Sequence, residues 1–122
     1  MSGWKNPPRN FGLKCLKDAD TLTKKITGDM LTTIVAATPI DTSAARGNWR
    51  VGIGKVDTTA DLSSRGAVAV GLPKIASQGG LGKIVYISNS LKYIERLNNG
   101  WSMQAPKNFM QISFMNVVNK YR

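Results

Sequence analysis

The sequence predicts an α+β domain in which a long N-terminal helix and a C-terminal helix pack on a small antiparallel β-sheet. Three patterns carry this. Apolar and small residues recur at three-and-four spacing from residue 10 to 37. Short segments alternate with period two over 48–56 and 66–72, and an apolar run covers 84–87. The chain closes on a second helical spacing over 106–120. With 122 residues there is material for one core. The domain is therefore expected to occupy 10–122, with 1–9 as an extended N-terminal arm.

The arm holds Gly3, Pro7 and Pro8, with Trp4 as its one large aromatic residue. An indole there either folds back on its own core or anchors a neighbouring subunit. In the helix over 10–37, Leu16, Ala19, Leu22 with Thr23, Ile26, Met30, Thr33 and Ala37 form the apolar face. Asn10 is the candidate N-cap. Gly28 weakens the middle by about 1 kcal/mol. Pro39 ends the helix by pushing the preceding residue out of the helical region. Lys14, Lys17, Lys24 and Lys25 fall largely off the apolar line. Cys15 reads as a small buried hydrophobe, and as the only cysteine it excludes an internal disulfide.

Asp41-Thr42-Ser43 can fold back on its own amides as a turn. Arg46 either pins that turn through Asp41 or presents itself at a subunit interface. Trp49, Val51 and Ile53 share one face of the first strand, and Arg50, Gly52 and Gly54 share the other. The bare glycine face invites close approach by another backbone or subunit. After a polar turn over 57–65, the segment 66–72 is expected to pair back as an antiparallel hairpin.

The next stretch, 73–82, reads as a flexible loop. Its Gly79-Gly80-Leu81-Gly82 lacks the Lys-Ser/Thr that follows a phosphate-binding loop. Residues 84–87 make a third strand. Asn89-Ser90 cap a short helix over 90–98, which Asn99-Gly100 close through a left-handed residue. Pro106 takes the first position of the last helix. That helix presents Met110, Phe114, Val117, Val118 and Tyr121 as its apolar face.

Charge and missing residue types narrow the function. There are 17 Lys and Arg against 7 Asp and Glu, a net charge of +10. Such a balance attracts polyanions, either DNA or an acidic protein ring. The chain has no histidine, which removes Ser-His and Cys-His catalysis and the commonest zinc ligand. Asp18 and Asp20 point to different sides of one helix, and Asp57 and Asp61 lie in a polar loop without a third partner. Neither pair builds the carboxylate cluster of a Mg²⁺ nuclease. The reading is a non-enzyme with no catalytic residue, metal or cofactor. No apolar run approaches the ~18–20 residues of a membrane span. The first nine residues lack the apolar core of a signal peptide, so the expected site of synthesis is the host cytoplasm.

Two blocks stand out. The first runs Thr38-Pro39-Ile40-Asp41-Thr42-Ser43-Ala44-Ala45-Arg46-Gly47-Asn48-Trp49. The second holds Asn89, Tyr93, Leu97 and Gly100-Trp101-Ser102-Met103-Gln104-Ala105-Pro106. In this order they resemble the tail-completion (minor tail component) proteins of tailed phages, over roughly a third of the chain. Those proteins carry a "TPVDTG.LR.SW" block after a long helix and a "N..YA..LE.GxSxQAPxG" block before a last helix. Ser43 stands where the family has Gly, Ala45 where it has Leu, and Asn98 where it has Glu. Asn108 stands where it has Gly, and Asn tolerates the left-handed backbone that such a turn needs.

The resemblance implies a structural virion protein at the neck, between head connector and tail tube. It implies assembly into a homo-oligomeric ring, expected as a hexamer, that meets the tail terminator and head-connector proteins around a DNA channel. Candidate interface residues are Trp4, Arg46, Arg50, Gly52, Gly54, Lys74, Lys83, Trp101 and Gln104. Lys74 and Lys83 are expected to dock on an acidic neighbour, with passing DNA as the other target. The competing reading is a small basic nucleic-acid-binding protein. The strand faces opposite the core carry mainly Gly and Ala rather than aromatics for stacking bases, which favours the structural role.

Overall fold

A computed structural model describes residues 8–39, 44–91, 94–100 and 107–122, with side chains from Leu13 onward. Helix α1 spans Pro8–Ala37. It begins ahead of Asn10, so Asn10 is not its N-cap, and Pro8 and Arg9 are helical. Proline suits a first helical position, where its missing N–H has no intrahelical partner to lose. Trp4, the turn at 41–43 and the second block from Trp101 to Pro106 lie outside the described residues.

The chain continues through α2 (Ala44–Gly47), β1 (Trp49–Ile53), α3 (Ala67–Gln78), β2 (Val85–Asn89), α4 (Ile94–Asn98) and α5 (Phe109–Lys120). Strands β1 and β2 form a two-stranded antiparallel sheet, with Trp49 opposite Asn89, Val51 opposite Ile87 and Ile53 opposite Val85. Helix α1 packs against both α3 and α5, and α3 also covers β1. The α+β architecture with a long first helix and a packed last helix is the one the sequence predicts.

The hairpin over 48–56 and 66–72 does not form, because the second segment is the start of α3. Small apolar residues alternating over 66–72 satisfy a helix equally well. Ala67, Gly71 and Ile75, spaced by four, are the buried face. Gly71 is where α3 meets its neighbours: a Cβ there would stand 2.5 Å from Leu31 Cδ2 and 2.9 Å from Val51 Cγ2. The helix runs on through Pro73 to Gln78, so most of the expected loop over 73–82 is helical too. Proline removes one helical donor, but Ala69 and Pro73 both lie on the exposed side, where water replaces it. The partner of β1 is the segment read as the third strand.

The core gathers Leu31, Ile34, Ala45, Trp49, Val51, Ala67, Ile75, Ile94 and Phe109. Among the described side chains of α1, only those of its second half contribute. Leu13 and Leu16 precede Leu31 and Ile34 by about five turns and so face the same side. They are nevertheless 54% and 58% exposed, because the amphipathic line is longer than the body beneath it. Cys15 shares that stretch and is exposed, contrary to expectation.

Helix α5 buries Phe109, Ser113 and Val117 rather than a face centred on Phe114, which is 54% exposed. Ser113 hides in the core because its hydroxyl donates to the Phe109 carbonyl at 2.7 Å. The helix starts at Phe109, after Asn108 in the left-handed conformation at φ 64°. Asn108 does take the role expected of it. Gly100, at φ 91°, is the expected left-handed residue after α4.

Candidate functional site

Asn89 of the second sequence block meets the described residues of the first at one end of the sheet. Thr38 closes α1, and its hydroxyl donates to the Ile34 carbonyl at 2.6 Å. The Trp49 indole N–H donates to that same hydroxyl at 2.8 Å. Arg46 reaches back over this joint, its Nε donating to the Thr38 carbonyl at 2.6 Å and a terminal nitrogen to the Ala36 carbonyl at 3.0 Å. A guanidinium is well suited here, since the last carbonyls of a helix lack partners and carry the negative end of its dipole. From the second block, Asn89 Nδ2 donates to the Ala45 carbonyl at 2.8 Å, and its Oδ1 accepts the Leu91 N–H at 3.1 Å.

Asn48, fully buried, ties the polar 57–65 segment to this joint. Its amide donates to the carbonyls of Ala44 and Asp61, both at 2.8 Å, and its oxygen accepts the Asp61 N–H at 2.7 Å. Arg50 completes the tie, donating to the Gly47 carbonyl, Asn48 Oδ1, Thr59 Oγ1 and Ser64 Oγ. Asp57 and Asp61 each accept from the amide and hydroxyl two residues on, at Thr59 and Ser63. Those bonds hold both carboxyls below the usual carboxylate range, chiefly through the hydroxyls. The loop is therefore built, with its carboxylates spent on its own turns.

The interface candidates are distributed unevenly over this frame. Arg46 and Arg50 serve the joint with all the bonds just described. Gly52 is buried, and a Cβ there would stand 2.1 Å from the Lys55 carbonyl oxygen. Its bare face is covered by the following turn of its own chain, not open to a subunit. Gly54 sits in open space at φ 79° and serves that turn. Lys74 borders a groove of about 340 Å³ beside Lys55 and Asp57. Lys83 borders a second groove of about 380 Å³ together with Lys24, Asp20 and Gly80. The two lysines thus occupy separate grooves. Trp4, Trp101 and Gln104 lie outside the described residues.

The glycine-rich segment closes on a carboxylate of α1. Asp20 Oδ1 accepts the Leu81 N–H at 2.7 Å, and its other oxygen lies 3.2 Å from Lys24 Nζ. The Leu81 amide, then Lys24, holds the Asp20 carboxyl below the usual range. A Cβ on Gly80 would stand 1.9 Å from Asp20 Oδ1, so glycine is what lets the segment close on the helix.

Sequence reasoning missed a third feature, an apolar groove of about 300 Å³ between α1, β2 and α5. Its signal was present in Phe114, Ile26 and Met30, but each had been assigned to the core. Among the described residues, no group of three or more His, Cys, Asp or Glu side chains is placed to hold a metal ion. No helix among them is long and apolar enough to cross a membrane. Comparisons with protein-family models, with curated proteins and with solved structures give no match for this chain.

Proposed function

We propose that this chain is a structural virion protein of a tailed phage that completes the tail at the neck and acts by ring assembly. The observation that carries the reading is that Asn89, of the second block, meets the first. Trp49 of the first stands opposite Asn89 of the second, and Asn89 bonds the α2 backbone. Asn89 thus belongs to the same joint as Thr38, Arg46, Asn48 and Trp49. Partners would be copies of the chain in a ring, the tail terminator and the head connector. Its place would be the virion neck after assembly in the host cytoplasm.

The mechanism would be geometric. The joint of Thr38, Arg46, Asn48 and Trp49 fixes α1 against the sheet. Exposed cations and apolar side chains are left for neighbouring subunits. Lys74 and Lys83 would dock on an acidic neighbour, because a joint between head and tail must hold whether or not DNA is present.

The test is deletion of the gene from its parent phage, followed by electron microscopy of the lysate and of particles complemented with the tagged chain. Separate filled heads and tails, with the tag at the neck of complemented particles, are expected. Normal particles without the chain would overturn the proposal. A purified monomer that forms no ring and binds DNA with steep salt dependence would favour the nucleic-acid reading.

A further inference from the structure

We infer that the groove between α1, β2 and α5 docks an acidic amphipathic segment of a different protein. Ile26 and Met30 form one wall, Val85 and Ile87 the floor and Phe114 the other wall, with Lys83 at the mouth. Thr23 and Thr27 also line it, but their hydroxyls donate to the Ala19 and Thr23 carbonyls at 2.8 Å. Each hydroxyl is thereby turned onto the helix, and the groove sees methyl groups. The result is an apolar trough with one cation at its edge.

Charge selects the occupant. Lys83 is exposed and makes no ion pair among the described residues. The carboxylates of α1 are already engaged: Asp18 with Lys14, Asp20 with Lys24, and Asp29 with Lys120. A second copy would bring another net charge of +10 and the same engaged α1 carboxylates to Lys83. A foreign segment with leucine-like side chains at helical spacing and a carboxylate on its flank fits both the trough and Lys83. This inference goes beyond the neck reading and does not depend on it.

The probes are two synthetic amphipathic helices with the same leucine spacing, one with Glu and one with Lys at its polar positions. Binding to the full chain is followed by fluorescence anisotropy at physiological salt and by methyl NMR. The acidic helix is expected to bind about tenfold tighter or better, the equivalent of one charge-assisted hydrogen bond. Shifts should concentrate at Ile26, Met30, Val85 and Ile87. Phe114→Ser and Lys83→Glu should each weaken binding about tenfold, whereas Val70→Ser on α3 should leave it unchanged.

Failure of the acidic helix to bind overturns the inference. So do shifts spread over the whole basic surface, or affinity indifferent to Phe114→Ser. Concentration-dependent broadening of the groove methyls in the free protein, abolished by Phe114→Ser, would assign the groove to a second copy and also overturn it. Should Phe114→Ser fail to fold, Lys83→Glu on its exposed side chain decides the matter, with unchanged binding as the overturning result.

Discussion

The Trp49 indole donates its N–H to the Thr38 hydroxyl at 2.8 Å, in a place where neither residue is more than 1% exposed. The hydroxyl itself donates to the Ile34 carbonyl, so a buried chain of hydrogen bonds runs from the end of α1 into β1. Thr38→Val keeps the shape and strands the indole N–H. The cost should be about 1–3 kcal/mol, that of an unsatisfied buried donor. Trp49→Ala should cost about 3–5 kcal/mol through the lost ring and its cavity. Trp49→Phe also removes the donor, so adding Thr38→Val to Trp49→Phe should cost clearly less than Thr38→Val alone. Urea unfolding of the four variants reads this directly, and additive costs would show that the bond contributes nothing.

Gly52, in β1, and Gly54, just after it, should respond very differently to substitution. A Cβ at Gly52 would collide with the Lys55 carbonyl oxygen at 2.1 Å, a backbone atom with no rotamer to change. Gly52→Ala should therefore unfold the sheet end or shift the 55–57 turn bodily. Gly54→Ala meets open space and carries only the left-handed backbone cost, about 1–2 kcal/mol. Thermal melts of the two alanine variants should differ widely. Equal melting temperatures would mean that the 55–57 turn moves freely.

The long helix, the buried Trp49 and the left-handed Asn108 were legible because each rests on local chemistry: periodicity, strand phase and tolerance of positive φ. Helix α3 was not. Ala-Val-Ala-Val satisfies a period of two, and the decision for a helix is tertiary, made where Gly71 lets α3 approach Leu31 and Val51. The face of α5 was misread by one position because Ser113 looks polar. In the fold its hydroxyl is spent on the Phe109 carbonyl. The exposure of Leu13, Cys15 and Leu16 was equally illegible, since a periodic line does not announce where the body under it stops. At the candidate interface, Arg46 and Arg50 were visible as unusual residues, but the carbonyls they serve come from segments 3 to 10 residues away.

Asn98 joins the last two helices. Its Oδ1 accepts the Met110 N–H at 3.0 Å, its backbone carbonyl accepts the Asn108 N–H at 2.6 Å, and its amide donates to Gln111 Oε1 at 3.1 Å. Asn108 makes no side-chain cap of its own, so Asn98 caps α5 from outside the helix. Asn98→Ala should cost about 1 kcal/mol, as the loss of a cap does. Asn98→Asp keeps the acceptor and adds a charge favourable to the helix N-terminus, so it should retain most of that stability. Chemical denaturation checks the order, and an alanine variant as stable as the aspartate one would remove the capping role.

Tyr121 and Lys120 clasp Asp29, fastening the end of α5 to the middle of α1. The Tyr121 hydroxyl donates to Asp29 Oδ2 in a short hydrogen bond, and Lys120 Nζ lies 2.9 Å from the same oxygen. The hydroxyl first, then the lysine, holds the Asp29 carboxyl below its ordinary range, and Asp29 in turn raises the Tyr121 hydroxyl. The signs set a window. A carboxyl depressed in the folded state adds stability above its unfolded value, near 4, and loses it as pH falls through the lower folded value. A phenol raised in the folded state adds stability below its unfolded value, near 10, and loses it as pH rises through the higher folded one. The clasp should therefore be fully present from about pH 5 to 9. Tyr121→Phe should lower the urea midpoint in that window, and its curve should draw toward that of the wild type in stronger acid and stronger base. A difference that stays constant from pH 2 to pH 11 would show that Tyr121 acts through packing rather than through its bond to Asp29.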